Sequence, residues 1–127
     1  MAVAGSELHY ERRGGGAPLL LIQGMGANAT HWGEPFLSAL ERDFELILYD
    51  HRGIGRSAPL QGTDVTVAGL AADALGLLDA LGVAAAHVLG ISMGGMVAQE
   101  LVLAHPEKVR RLVLGCTYAG GEGQLLA

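Results

Sequence analysis

Short, wholly apolar runs alternate along this chain with longer stretches of helical periodicity. The run PLLLI, from Pro18 to Ile22, is stopped by Gly24, as expected of a strand covered on both faces. Leu46 to Tyr49 repeats that pattern before Asp50 and the glycines at 53 and 55, and His87 to Leu89 and Leu112 to Leu114 repeat it again. Ser6 to Arg13 alternates more loosely, with Leu8 and Tyr10 on one face, and runs into Gly14, Gly15 and Gly16; it predicts an edge or hairpin strand.

Helical patterns fill the intervals. Thr30 is placed to cap a helix carrying Trp32, Phe36, Leu37 and Leu40. Thr66 is placed to cap a second, with Leu70, Ala71, Ala74, Leu75, Leu78 and Leu81 in one stripe that Gly82 ends. A third runs from about Gly94 to Ala104 with only Gln99 and Glu100 clearly polar, so burial on most sides is expected, and Pro106 ends it. Strands alternating with helices predict an α/β fold: a doubly wound, mostly parallel sheet with helices on both faces and right-handed crossovers. No internal repeat, low-complexity segment or domain boundary interrupts residues 1–127.

Composition narrows the function classes. A chain of 127 residues suits one domain, able to bury very roughly two thirds of its unfolded surface. Half of the residues are hydrophobic and 17% are charged, which argues for a large core and against disorder. The net charge of -5 is scattered and the basic residues form no stripe beyond Arg110 and Arg111, so nucleic acid is not an expected partner. The single cysteine, Cys116, forms no internal disulfide and belongs to no zinc-type cluster; no metal, cofactor or membrane span is expected, and the cytoplasm is the default compartment.

Three segments could carry chemistry. In G-I-S-M-G, from Gly90 to Gly94, the serine directly follows an apolar strand and precedes a helix. That is the setting in which a tight, strained turn lifts a side chain over the sheet edge beside helix-dipole amides; the plainer alternative is a serine that only caps the helix. Q-G-M-G, from Gln23 to Gly26, follows the first buried strand, where glycines let a loop bring a backbone N–H near the serine. An oxyanion hole needs two such donors, and the N–H groups of Met25 and Met93 are the candidates. The third segment, D-H-R-G-I-G-R-S from Asp50 to Ser57, contains G-x-G-x-x-A with Asp73 about twenty residues on, which raises a dinucleotide site. Pro59, Gln61, Gly62 and Thr63 continue a loop where that motif needs a helix, and Asp73 falls mid-helix, so the dinucleotide reading is set aside.

QGMG, DHRGIGRS and GISMGG, in this order and spacing, resemble the α/β-hydrolase fold family, in particular its small esterase, lactonase and haloperoxidase-like members. The resemblance extends from ELHYERRG through HPEKVRRLVL and is specific for fold, not for substrate. It implies Ser92 as nucleophile, the Met25 and Met93 amides as oxyanion hole, and an architectural role for DHRGIGRS. The histidine that usually precedes the first loop glycine is Gln23 here, which leaves the backbone donor in place and alters the pocket wall. His31 is the one histidine expected near the pocket rim; His51 is expected as an exposed turn residue, His87 as a satisfied strand residue, His9 at the surface and Cys116 as a small buried hydrophobe.

The family order of the triad is Ser, then Asp or Glu, then His. After Ser92 the chain offers Glu100, His105, Glu107 and Glu122. A helix rising about 1.5 Å per residue puts His105 on the order of 15 Å from Ser92, too far for a base. The strand-end position where some members carry the acid reads Leu114, Gly115, Cys116, Thr117. The expectation is therefore the N-terminal part of a single α/β-hydrolase domain, without lid and last strands. Its parent would be a serine hydrolase cleaving a small-molecule carboxylic ester or lactone through an acyl-enzyme, and this chain alone would be inactive. The unpaired strand at Leu112 to Leu114 would expose an apolar edge, for a missing C-terminal half or a second copy to cover. The alternative is a non-catalytic binding or assembly module.

Overall fold

The computed structural model describes residues 2–3, 6–24, 32–51 and 66–115. Its elements are β1 (Ala2–Val3), β2 (Ser6–Glu7), β3 (Tyr10–Arg13), β4 (Ala17–Ile22), α1 (Glu34–Leu40), β5 (Phe44–Tyr49), α2 (Val67–Ala80), β6 (Ala86–Ile91), α3 (Met93–Ala104), a 3-10 turn (Pro106–Lys108) and β7 (Val109–Gly115). Five strands form one sheet in the order β3-β5-β4-β6-β7. β5, β4, β6 and β7 run parallel, and β3 lies antiparallel on the β5 edge. The four apolar runs are thus the four parallel strands.

Period-two alternation divides their side chains between two layers. Leu20, Ile22, Ile47, Tyr49 and Val88 face α2 and α3, where Leu70, Ala74, Leu77, Val97, Ala98 and Leu101 complete the larger core. Leu19, Leu21, Leu46 and Leu48 face α1, joined by Trp32 and Leu37. The sheet is therefore doubly wound. The α1 layer is the thinner: on that side of β6 and β7 a groove of about 480 Å³ remains open, lined by Leu19, Phe36, Leu89, Arg111 and Val113 among others. β7 is the sheet edge among the described residues, with Val113 and Leu114 exposed.

Several local expectations are corrected. Ser6 to Arg13 is not one strand: β2 pairs with β1 and β3 with β5, because Leu8 turns into the core and the His9 carbonyl accepts from Asp50 N–H at 3.0 Å. The first helix starts at Glu34 behind Gly33, whose φ of 86° suits glycine, with Pro35 in its first turn. Thr30 lies outside the described residues, and Trp32 precedes the helix and stacks on Phe36 at 5.8 Å. α3 is less enclosed than its composition suggests. It packs on the sheet and α2 through Gly94, Gly95, Val97, Ala98 and Leu101, whereas Leu103 is 80% exposed. His87 is not satisfied as expected: its ring meets the edge of Phe44, and its buried Nδ1 has no partner among the described residues.

The second helix forms as its sequence predicts, and Asp73 falls mid-helix within it. Thr66 Oγ1 accepts from Gly69 N–H at 2.9 Å, satisfying one of the amides that a helix start leaves unpaired. Gly82, at φ 73°, follows the last turn. Replacing the cap, Thr66→Ala, is expected to cost about 1 kcal/mol of stability, read as a lower urea midpoint with an unchanged denaturant slope.

Candidate active site

The polypeptide turns sharply where β6 meets α3, and Ser92 is the residue at the turn. Its φ of 56° and ψ of -121° make it the one non-glycine residue with positive φ among the described residues. A side chain in that region carries steric strain of roughly 1–3 kcal/mol, and such strain persists only where the surroundings impose it. Here they do. Ser92 N–H donates to the carbonyl of Gly115 at 2.9 Å, which ties the turn to the end of β7. Its carbonyl accepts from Gly95 N–H at 2.9 Å, which starts α3 at once.

Glycines allow this crowding. A Cβ on Gly94 would fall against the carbonyl oxygens of Ile22 and Gln23, so the first turn of α3 rests directly on the end of β4. A Cβ on Gly24 would lie 3.3 Å from Ser92 Cβ and 3.7 Å from Ser92 Oγ. The start of the QGMG loop is thereby packed against the serine. Ser92 is exposed and makes no side-chain capping hydrogen bond to α3, so the plain helix-cap alternative fails. Met93 opens α3, within the first turn, where N–H groups have no partner inside the helix.

The other predicted residues divide. Gln23 is buried beside the serine turn, and its Oε1 accepts from Gly24 N–H at 3.0 Å. Met25 and His31 lie outside the described residues, as do Arg52 to Ser57, Cys116 and Glu122. His105 caps the C-terminal end of α3, Nδ1 to Glu107 Oε1 at 3.3 Å, a whole helix away from Ser92. His9 is part-exposed and pairs with Glu11 at 3.6 Å.

His51 overturns its expectation. It is 3% exposed, not a surface turn residue, and Nε2 lies 2.7 Å from the Gln23 carbonyl. Its ring stands edge-on to Tyr49 at 5.3 Å. Burial pushes the imidazole pKa down, against the pull of the Gln23 carbonyl and of the Asp73 and Asp50 carboxylates. Burial also pushes the Tyr49 hydroxyl up, with Asp73 adding to the shift. The sequence signal that was available, a polar residue directly after a buried strand, needs the strand order to be read: only the pairing of β5 with β4 brings His51 beside Gln23.

A sequence profile of the alpha/beta hydrolase fold matches residues 17–125. The chain belongs to the alpha/beta hydrolase family. RutD of Azorhizobium caulinodans, named for carbamate hydrolysis, is 42% identical over 123 residues, covering 94% of this chain and 44% of RutD. A hydrolase from Pseudomonas aeruginosa PA01 superposes with a TM-score of 0.87 at 40% identity, over 94% of this chain and 45% of that one. The enol-lactonase from Burkholderia xenovorans LB400 superposes with a TM-score of 0.83 at 34% identity, over 88% of this chain and 44% of that one. The chain thus spans less than half the length of these relatives. Among the described residues of this alpha/beta hydrolase chain, no cluster of three or more His, Cys, Asp or Glu could hold a metal, and no helix is long and apolar enough to cross a membrane.

Two outcomes test the geometry. Glycine relieves strain of roughly 1–3 kcal/mol at position 92 while costing about 0.5–1 kcal/mol in backbone entropy. Ser92→Gly is therefore expected to be more stable than Ser92→Ala by about 1 kcal/mol in denaturant titrations. The second outcome concerns pH. In the unfolded chain His51 protonates near its ordinary 6.5, whereas in the fold it does so only at lower pH. The unfolded state therefore binds more protons as pH falls through that window. Stability is expected to be full above pH 6.5 and to decline on acidification below it. His51→Phe should flatten that part of the stability profile.

Proposed function

We propose that this chain carries the nucleophile and the oxyanion-binding half of a serine hydrolase. The carrying observation is the strained, exposed Ser92 at the β6–α3 turn, with Gly24 packed against it. Strain of this kind has no structural use at a turn where glycine would serve, and it aims Oγ outward from the sheet edge.

In this reading Ser92 Oγ attacks the carbonyl carbon of the substrate and gives its proton to a histidine base. The carbonyl oxygen takes up the electron pair as an oxyanion, held by the N–H groups of Met25 and Met93. Re-forming the carbonyl expels the leaving alkoxide, which takes the proton back from the histidine, and leaves an acyl-serine. Water then adds through the same oxyanion, releasing the acid and restoring Ser92. Gln23 and His31 are the candidate substrate-pocket residues of this reading. The substrate class is a small carboxylic ester or lactone, and the names of the relatives, a carbamate hydrolase and an enol-lactonase, extend it to neighbouring acyl carbonyls. The cytoplasm remains the proposed compartment, from the lone cysteine.

His105 stands at the far end of α3, and the scheme takes its acid and base from the part of the relatives' length that this chain does not span. The 127-residue chain alone therefore turns over little or nothing, since a triad serine without its base is a poor nucleophile. Treating the chain and the full-length protein with a fluorophosphonate probe tests both claims. Rapid labelling of Ser92 is expected in the full-length protein and not in the chain alone. Ser92→Ala in the full-length protein should abolish labelling and lower kcat/KM for ester substrates by about a thousandfold or more.

A further inference from the structure

The Gln23–Gly24 peptide is held from both edges. Its carbonyl oxygen, on Gln23, lies 2.7 Å from His51 Nε2. Its N–H, on Gly24, donates to the Gln23 side-chain oxygen at 3.0 Å. A carbonyl can only accept, so His51 Nε2 must carry the ring proton and the imidazole must be the Nε2–H tautomer. That leaves Nδ1 without hydrogen, buried, and without a partner among the described residues. A neutral ring suits that surrounding, while a proton on Nδ1 would be a buried charge with no acceptor among the described residues. The groups facing the ring are Tyr49 at the end of β5 and Asp50 after it, Asp73 from α2, and the carbonyl of Gln23, the residue after β4.

The clamp has a mechanical reason to exist. Gly24 lies where an added Cβ would crowd Ser92, so no side chain can anchor it there. The two hydrogen bonds hold the peptide plane that precedes Gly24, so the backbone beside Ser92 is fixed beforehand and needs no reorganisation when a substrate reacts there. The Gly94 backbone closes the third side, packed against the same Gln23 carbonyl.

We propose that His51 is a positioning residue: its Nε2–H, bonded to the Gln23 carbonyl, fixes the Gln23–Gly24 peptide beside Ser92, without touching substrate. This rests on the reading of Ser92 as nucleophile.

The test uses the full-length protein with three variants. Ser92→Ala removes the nucleophile. His51→Phe fills the ring volume but removes the donor, and His51→Gln restores an amide N–H donor at comparable reach. His51→Phe is expected to lower kcat for an ester by about ten- to a hundredfold with KM changed less than about threefold, short of the loss seen when an oxyanion donor is deleted outright. His51→Gln should recover most of that loss. Two readouts do not depend on turnover. Nitrogen-15 NMR should find His51 as the Nε2–H tautomer and still neutral below pH 6.5. Amide exchange at Gly24 should speed up at least tenfold in His51→Phe and return towards wild type in His51→Gln.

The proposal is overturned if kcat of His51→Phe stays within twofold of wild type, if KM rather than kcat carries the loss, if the ring is the Nδ1–H tautomer, or if Gly24 exchange is unmoved. If Ser92→Ala keeps its activity, the nucleophile reading falls and the positioning role of His51 in catalysis falls with it, whatever the exchange data show. If Ser92→Ala is dead while His51→Phe is not, only the positioning role falls.

Discussion

Everything near the serine depends on how closely the first turn of α3 lies against the end of β4. No side chain fits between them, since a Cβ on Gly94 would meet the Ile22 and Gln23 carbonyls, and one on Gly90 would meet the backbone of Gly94 and Gly95. This contact forces the chain to leave β6 and enter α3 within one residue, and Ser92 absorbs the bend as a strained φ, ψ pair. The same contact brings Gly24 against Ser92 and lays the Gln23 carbonyl where His51 can reach it. Strain, loop placement and buried histidine are three results of one backbone approach.

The larger core anchors that approach. α2 and α3 pack side by side on one face of the sheet through Leu70, Ala74, Leu77, Val97, Ala98 and Leu101, all buried, and the strained turn is held between this layer and the sheet. The α1 face is thinner. The open groove beside β6 and β7 and the exposed Val113 lie on the side of the sheet away from α3, so the serine turn is built on the better-packed layer. The chain shares the alpha/beta hydrolase family with relatives more than twice as long, and the serine turn is organised within these residues.

Buried polar groups mark where the packing serves something other than stability. Tyr49, His51, Asp50 and Asp73 are all buried, with Tyr49, Asp50 and Asp73 about the His51 ring, which reaches Gln23. Removing such groups from water is costly unless hydrogen bonds repay it, and an apolar set of the same volume would be the stabler choice. For His51 a hydrogen bond offsets part of that cost: Nε2–H donates to the Gln23 carbonyl, next to the serine turn.

The chain by itself determined the alternation of strands and helices, the doubly wound sheet, the Thr66 cap and the serine turn, because each is written in neighbouring residues: apolar runs, a 3.6-residue stripe, glycines on either side of Ser92. Local pattern misjudged what depended on partners distant in sequence. Thr30 has the chemistry of a cap, yet Gly33 and Pro35 set the helix start. Leu103 looks like core and faces solvent, because only one side of α3 meets the sheet and α2. His51 has the look of a turn residue, and only the pairing of β5 with β4, strands 28 residues apart at His51 and Gln23, buries it against a carbonyl. Periodicity records which face a residue takes along its own element; which neighbour it meets there is decided by the order of strands in the sheet, and that order exists only once the chain has folded.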